Sequence, residues 1–449
     1  EYGQAQYLGA LLQSCARATS TDLTLKLDYS VQLEKKKVPT GSELRVWLDG
    51  ISTLEYYQEL LVDVLPHLLD KPKEGSSKLT GLSIEKTQVP NVLPHVLNLF
   101  QHPNCAISDL TCHAPLNQDD FKQWCSKDGP IQEYTHLQKI SFRVDPTIQH
   151  CLEDGSFMEQ AAFCPQSRLQ NVAISFAAPV ITDDNIVDND DDDNGKDHAS
   201  SMSQLAAMVL RQQPQLEHLK LSANSNALEQ LGRDRKSYQG LFLNQLRRHG
   251  SLNTLVLGLD SPRERAILRR DCLRPLFLVL EPHSSIRTLD LFGGCIVGVD
   301  HLVEFLPRLQ NLQAFWFSLA GTPFHNIEPL VPALHQNLSI TRIYNKMDWR
   351  KSPSLAELFQ ERASIVNVIL HRNQLLCHGR DMLMKMATNH EGNTSSEPRP
   401  SSSSSSPSLL PQLLAKLGSN GGEATPIFDF LKSGADLSST TPTGNLRPC

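Results

Sequence analysis

The hexapeptides LEHLKL at 216–221, LNTLVL at 252–257, IRTLDL at 286–291 and LQAFWF at 312–317 repeat one phrase within residues 205–375. Each carries an apolar residue at positions one, four and six. These are Leu216, Leu219 and Leu221, then Leu252, Leu255 and Leu257, then Ile286, Leu289 and Leu291, then Leu312, Phe315 and Phe317. The phrase continues as Leu338, Thr341 and Ile343, and closes as Ile365, Val368 and Leu370. The first residues of these frames stand 36, 34, 26, 26 and 27 positions apart. Side chains of an extended segment alternate faces. Positions four and six therefore point the same way, and position one closes that row where the chain enters the strand. A unit of this length cannot bury its apolar face alone; stacked neighbours bury it together, as in a solenoid.

Each coil needs a return leg, and the residues between frames supply one. Leu241, Leu243 and Leu246 precede the Leu252 frame; Leu276, Leu278 and Leu280 precede Ile286. Leu302, Val303 and Leu306 precede Leu312, and Leu355, Leu358 and Phe359 precede Ile365. Apolar residues three to four apart fit one helical face, so these legs are expected to be helices.

Upstream the phrase recurs as Leu79, Leu82 and Ile84, then Ile107, Leu110 and Cys112, then Leu137, Ile140 and Phe142, then Leu169, Val172 and Ile174. These frames are 28, 30 and 32 residues apart, with a helix expected over Val92 to Phe100 and Pro94 near its start, where proline is tolerated. Residues 1–78 read as one or two degenerate N-terminal repeats. Tyr7 to Ala16 reads as a short helix, Leu23–Leu25–Leu27 and Leu44–Val46–Leu48 as strands, and Tyr56 to Leu69 as a helix interrupted at Pro66.

From Leu169 to Leu216 the interval grows to 47, and the excess falls on 182–201. The run Asp190 to Asp193 and the low hydrophobicity there predict a disordered acidic insert. Asp190, Asp192, Asn194 and Gly195 match the start of a calcium-binding loop, but Ser201 stands where its closing Glu belongs. The solenoid is expected to span 79–388, with a capping helix from His371 to Met386. Residues 389–407, with Ser401 to Ser406 unbroken, read as a flexible linker, and 408–449 as a weakly structured tail with short helices.

The whole chain has 449 residues, 40% hydrophobic and 20% charged, with a formal net charge of −7. That balance argues against a general nucleic-acid binder or an anionic-membrane binder. No apolar run approaches the roughly 18 residues of a spanning helix. The ten cysteines form no C-x-x-C pair. They are expected to be thiols of a reducing compartment rather than a disulfide framework or zinc ligands, which suggests a cytoplasmic protein.

No phosphate-binding loop, no nucleophile elbow and no H-E-x-x-H motif occurs in the sequence. Gly293, Gly294 and Gly298 are read as room for a tight coil corner. No enzyme activity, cofactor, metal or small-molecule substrate is therefore expected. The outward strand positions remain. A weak basic group there comprises Lys139, Arg143 and Lys220, and a richer set comes late: Asp290, Phe292, Trp316, Arg342, Tyr344 and His371. Trp, Tyr and Arg are the residue types that anchor protein interfaces, so these six form the candidate binding surface.

The frames resemble leucine-rich repeat proteins of the ribonuclease-inhibitor-like class over residues 79–376. Asn224 and Asn373 match the Asn expected at position nine of the repeat, whereas Gly294, Ala320 and Lys346 depart from it. The resemblance implies an α/β horseshoe with a parallel concave sheet and convex helices, and a scaffold that binds a protein partner on the concave face. It also admits a regulator of the kind that activates Ran-type GTPases, or the substrate receptor of a ubiquitin ligase.

Overall fold

The computed structural model describes residues 22–27, 31–36, 43–47, 58–69, 78–84, 92–127, 129, 131–176, 193–224, 239–259, 266–268, 270–283, 285–296, 300–319, 329–345 and 368–379. Within them, strands and helices alternate around a single 13-stranded sheet. The N-terminal strands are β1 (Asp22–Leu27), β2 (Val31–Lys36) and β3 (Glu43–Trp47). The repeats follow as β4 (Lys78–Ile84), β5 (Asp109–Leu116), β6 (Lys139–Val144), β7 (Asn171–Phe176), β8 (His218–Ala223) and β9 (Thr254–Leu259). The series ends with β10 (Ala266–Leu268), β11 (Thr288–Ile296), β12 (Ala314–Leu319) and β13 (Arg342–Asn345). From β3 to β13 each repeat strand pairs with its predecessor in parallel, and β10 extends the C-terminal part of β11. The exception is the antiparallel pair of β1 with β2, an edge hairpin that the repeat phrase does not contain.

The phrase folds as its spacing dictates. Leu219, Leu221, Leu255, Leu289 and Phe315 are inaccessible to solvent, and they belong to one continuous core with the apolar faces of the helices. The backbone repeats as strictly as the side chains. In each entry to a strand, two successive N–H groups share one carbonyl of the preceding coil: Asn253 and Thr254 on Glu217, Arg287 and Thr288 on Asn253, Gln313 and Ala314 on Arg287.

The same bond pair corrects the frame of the last strand. Thr341 and Arg342 donate to Gln313, which makes Thr341 the counterpart of Gln313. The frame therefore begins at Ile340, fully buried, and not at Leu338, which is half exposed. The expected strand at Ile365 to Leu370 is also overturned, because 368–379 is a helix containing both Val368 and Leu370.

The helical legs are α1 (Leu65–Leu69), α2 (Leu93–Phe100), α3 (Gln118–Cys125), α4 (Gln149–Glu153), α5 (Gly155–Gln160) and α6 (Asp193–Gln212). They continue as α7 (Gln239–Arg248), α8 (Arg270–Leu280), α9 (Asp300–Phe305), α10 (Leu330–Gln336) and α11 (368–379). Pro66 stands at the start of α1, directly after a π-helical turn at Glu59–Val64. A proline has no N–H to donate and its ring crowds the carbonyl four residues back; the wider turn gives that ring room. Two leucines of the expected helical faces point outward. Leu241 and Leu278 are each 48% exposed, while their neighbours Phe242 and Phe277 are fully buried. Residues two apart cannot share one helical face, so the aromatic ring takes the core and the leucine faces solvent.

Helix α6 begins at Asp193, inside the stretch 182–201 assigned to a disordered insert. Ser200, Ser201 and Met202 are buried. The apolar face of Leu205, Met208 and Val209 is extended backwards by Met202 and the two small serines, and low hydrophobicity hid the helix. Asn194, Gly195 and Ser201 of the calcium-loop match lie in this helix. The short helix at 7–16, the helix leg around Leu355 to Phe359, the linker 389–407 and the tail 408–449 lie outside the described residues.

Candidate functional site

Among the described residues, the helices cover one face of the sheet and leave the other open except at Val256, which is buried. Positions three and five of each frame supply that open face, and the register aligns them into two rows. The first row runs Asp109, Lys139, Asn171, His218, Thr254, Thr288, Ala314, Arg342. The second runs Thr111, Ser141, Ala173, Lys220, Val256, Asp290, Trp316, Tyr344. Neighbouring strands lie about 4.8 Å apart, so each row is a continuous line across the sheet, and Val256 is the buried member of the second.

Four of the six candidate residues enter these rows. Asp290 pairs with Trp316, and Trp316 with Tyr344, in one strip over three successive strands. Arg342 lies in the other strip, beside Ala314, and is exposed. Trp316 is half-buried. Phe292 sits in β11 two residues beyond Asp290, where the pairing with β12 jumps from Asp290 to Cys295. That bulge contains Gly293 and Gly294, which are thus inside a strand and not at a coil corner. His371 is placed elsewhere. It is an exposed residue of α11, a helix fastened to the turn before β13, where the Arg372 guanidinium donates to His335 O at 2.9 Å and Asn373 Nδ2 to Asn337 O at 2.8 Å.

The N-terminal half of the open face is small and polar. Lys139 Nζ lies 3.8 Å from Asp109 Oδ2, and His113 Nε2 is 3.1 Å from Ser141 Oγ. Burial lowers the pKa of the His218 imidazole, and Lys220 on the same strand lowers it further. Lys139, Arg143 and Lys220 fall on β6 and β8, on either side of β7.

A second set of polar side chains was missed in the sequence. Gln213, His249, His283 and Asn337 each stand three residues before a frame, and all are buried. His249 Nε2 donates to Gln213 O at 2.9 Å, and His283 Nε2 to Leu246 O at 2.8 Å. Asn337 Nδ2 donates to Leu306 O at 2.6 Å and Leu309 O at 3.1 Å. Three of the rungs also hold their own coil: the N–H of Leu252 donates to His249 Nδ1, that of Ile286 to His283 Nδ1 and that of Ile340 to Asn337 Oδ1. Asn373 continues the ladder from α11 onto Asn337 O and Ile340 O, which replaces its expected role at position nine. Gln, His and Asn share a donor and an acceptor at fixed separation. That shared chemistry, at a constant offset from four of the frames, is the signal in the sequence; the Leu312 frame has Leu309 at that offset.

Of the cysteines Cys105, Cys112, Cys125, Cys151, Cys164 and Cys377, all but Cys377 are buried. Burial pushes the Cys112 and Cys164 thiols up to about 12, and such thiols are inert. No helix among the described residues is long and apolar enough to cross a membrane.

No family model and no curated protein matches this chain. Among solved structures, the actin-binding site 2 of Leiomodin-1 is similar at 11% sequence identity and a TM-score of 0.29, over 41% of this chain and 96% of that one. The coordinates themselves establish an α/β repeat architecture, in which a parallel sheet alternates with helices along the chain.

Proposed function

We propose that this chain is a leucine-rich repeat solenoid of the ribonuclease-inhibitor-like class, a horseshoe whose concave face is the open strand face. It acts as a non-enzymatic scaffold that holds a protein partner there. One observation carries the reading: Asp290, Trp316 and Tyr344 occupy the same position on three successive strands, with Arg342 in the adjoining strip. Aromatic and Arg side chains gathered on a rigid sheet present anchors at little ordering cost. The partner is expected to be a protein rather than nucleic acid, lipid or a small molecule, in keeping with the net charge of −7 and the absence of catalytic motifs from the sequence. A cytoplasmic setting is consistent with the unpaired, buried cysteines.

A photo-crosslinking residue placed at Ser141, Thr254 or Thr288 reports contact with the open face, and one placed at Leu278 reports contact with the helical face. Crosslinks from the strand positions that vanish in the Trp316→Ala/Tyr344→Ala variant, with none from Leu278, are the expected result. Crosslinks from Leu278 alone, or strand crosslinks indifferent to the double substitution, would refute the proposal.

A further inference from the structure

The polar ladder is built from two kinds of rung. Asn337 and Gln213 carry amides, which do not titrate. His249 and His283 carry imidazoles, and they stand on adjacent coils. Both rings are used as neutral groups with the proton on Nε2: that atom donates to a carbonyl oxygen, while Nδ1 faces a backbone N–H. At His249 the bonds are 2.9 Å to Gln213 O and 3.2 Å from Leu252 N. At His283 they are 2.8 Å to Leu246 O and 3.4 Å from Ile286 N. A second proton would sit on Nδ1 and point at another N–H. Ser285 Oγ is 3.3 Å from His283 Nδ1, but its own proton goes to Leu252 O at 2.8 Å.

The surrounding charge does not invite a cation either. On the elements packed about the two rings stand Arg211 at the end of α6, Glu217 before β8, Arg247 and Arg248 at the end of α7, Glu281 after α8 and Arg287 before β11. Glu281 lies 3.9 Å from Arg308, and Arg287 donates to Asn311 O at 3.4 Å. No carboxylate among the described residues hydrogen-bonds either imidazole.

We propose that the His249 and His283 rungs form an acid-sensitive joint in the stack: a proton on Nδ1 opposes the N–H of the ring's own coil, drives the ring from its seat, and so breaks the Nε2 bond that ties the coils of β8, β9 and β11 together. The joint lies between the basic part of the open face and the strip of Asp290, Trp316 and Tyr344. Acidification therefore loosens the scaffold where the two parts meet, while the amide rungs on either side hold. Burial, together with the neighbouring His249, lowers the pKa of His283, in keeping with a ring that stays neutral until the joint opens.

The molecule also supplies the control, since Asn337 performs the same task without titrating. In the full-length chain, the urea midpoint of the wild type is expected to shift downward between pH 7.5 and pH 5.5. Amide exchange, corrected for its intrinsic pH dependence, should accelerate selectively at Leu252 and Ile286. His249→Asn/His283→Asn should flatten both responses. A wild type whose exchange changes no more at Leu252 and Ile286 than along β6 and β7 would overturn the proposal, as would a folded double variant with an unchanged pH response. If the double variant does not fold, imidazole titration of the wild type by NMR decides. Rings that remain neutral until exchange at Leu252 and Ile286 accelerates support the joint, and rings that protonate without opening overturn it.

Discussion

His249 Nε2 donates a hydrogen bond to the carbonyl oxygen of Gln213, 2.9 Å away and 36 residues earlier in the chain. Both side chains stand three residues before a frame, and both are buried. The bond closes the turn of one coil onto the turn of the next. Leucines fill the interior of the stack, but they do not fix how far one coil rotates against its neighbour. A buried amide or imidazole with one correct partner does, because a misplaced rung leaves polar groups unsatisfied.

The ladder gives the first prediction at Asn337. Its amide satisfies Leu306 O and Leu309 O, and its oxygen receives the N–H groups of Ser339 and Ile340. Asn337→Ala should lower stability by about 1–3 kcal/mol for each buried group left unpaired. Asn337→Asp keeps the acceptor but places a charge beside carbonyl oxygens, and should cost more. Urea unfolding of the two variants measures the order.

Adjacent positions on β12 should respond unequally to truncation. Phe315 is fully buried, 4.7 Å from the Phe317 ring centroid and 6.3 Å from that of Phe277. Phe315→Ala is expected to cost about 3–5 kcal/mol. Trp316, one residue on, faces the open side, and Trp316→Ala should cost about 1–2 kcal/mol at most. Equal losses at the two positions would mean that the tryptophan is part of the core.

Acid should weaken the fold through His283. Burial, and then His249, hold its folded pKa below the ordinary value of 6.5. As pH falls past about 6.5 the unfolded chain takes up the proton before the folded one. The stabilisation is whole above that pH, declines as pH drops towards the folded value, and changes no further below it. Thermal midpoints at pH 7.5, 6.5 and 5.5 should fall in that order, and His283→Asn should reduce the slope.

The open face can be probed electrostatically at His218. Burial is the larger cause of its lowered pKa and Lys220 the smaller. Lys220→Met should therefore raise the His218 pKa, yet leave it below the ordinary value. An NMR titration of the imidazole reads this directly, and no change would show that the two side chains do not sense each other.

Much of this architecture was legible because leucine at positions four and six leaves a period that few other folds produce. Leu219 and Leu221 behave as that period requires. The last frame was misread because Leu338 outranks Ile340 in no way the sequence displays; only the bonds to Gln313 distinguish them. His371 was lost with the strand reading of Ile365 to Leu370, whose apolar residues serve a helix equally well. The hairpin strand β2 was hidden because VQLEKK alternates weakly and ends in lysines, a composition that suits an exposed sheet edge. The rungs escaped notice since Gln213, His249, His283 and Asn337 share a bonding pattern but are of three residue types. Tyr344 stays level with Trp316 and Asp290 despite a frame error of two residues, because a shift of two preserves the alternation along a strand.

Distances along the second strip test the stacked sheet most directly. Spin labels carried by genetically encoded keto residues at Thr111 and Trp316 leave the native cysteines untouched. The two sites are six strand steps apart, through Ser141, Ala173, Lys220, Val256 and Asp290. At about 4.8 Å per step the backbone separation is at most about 29 Å, and pulsed dipolar spectroscopy should return one narrow distribution within that value plus the label length. A broad distribution, or a mean well beyond it, would contradict a continuous register from β5 to β12 and the binding face built upon it.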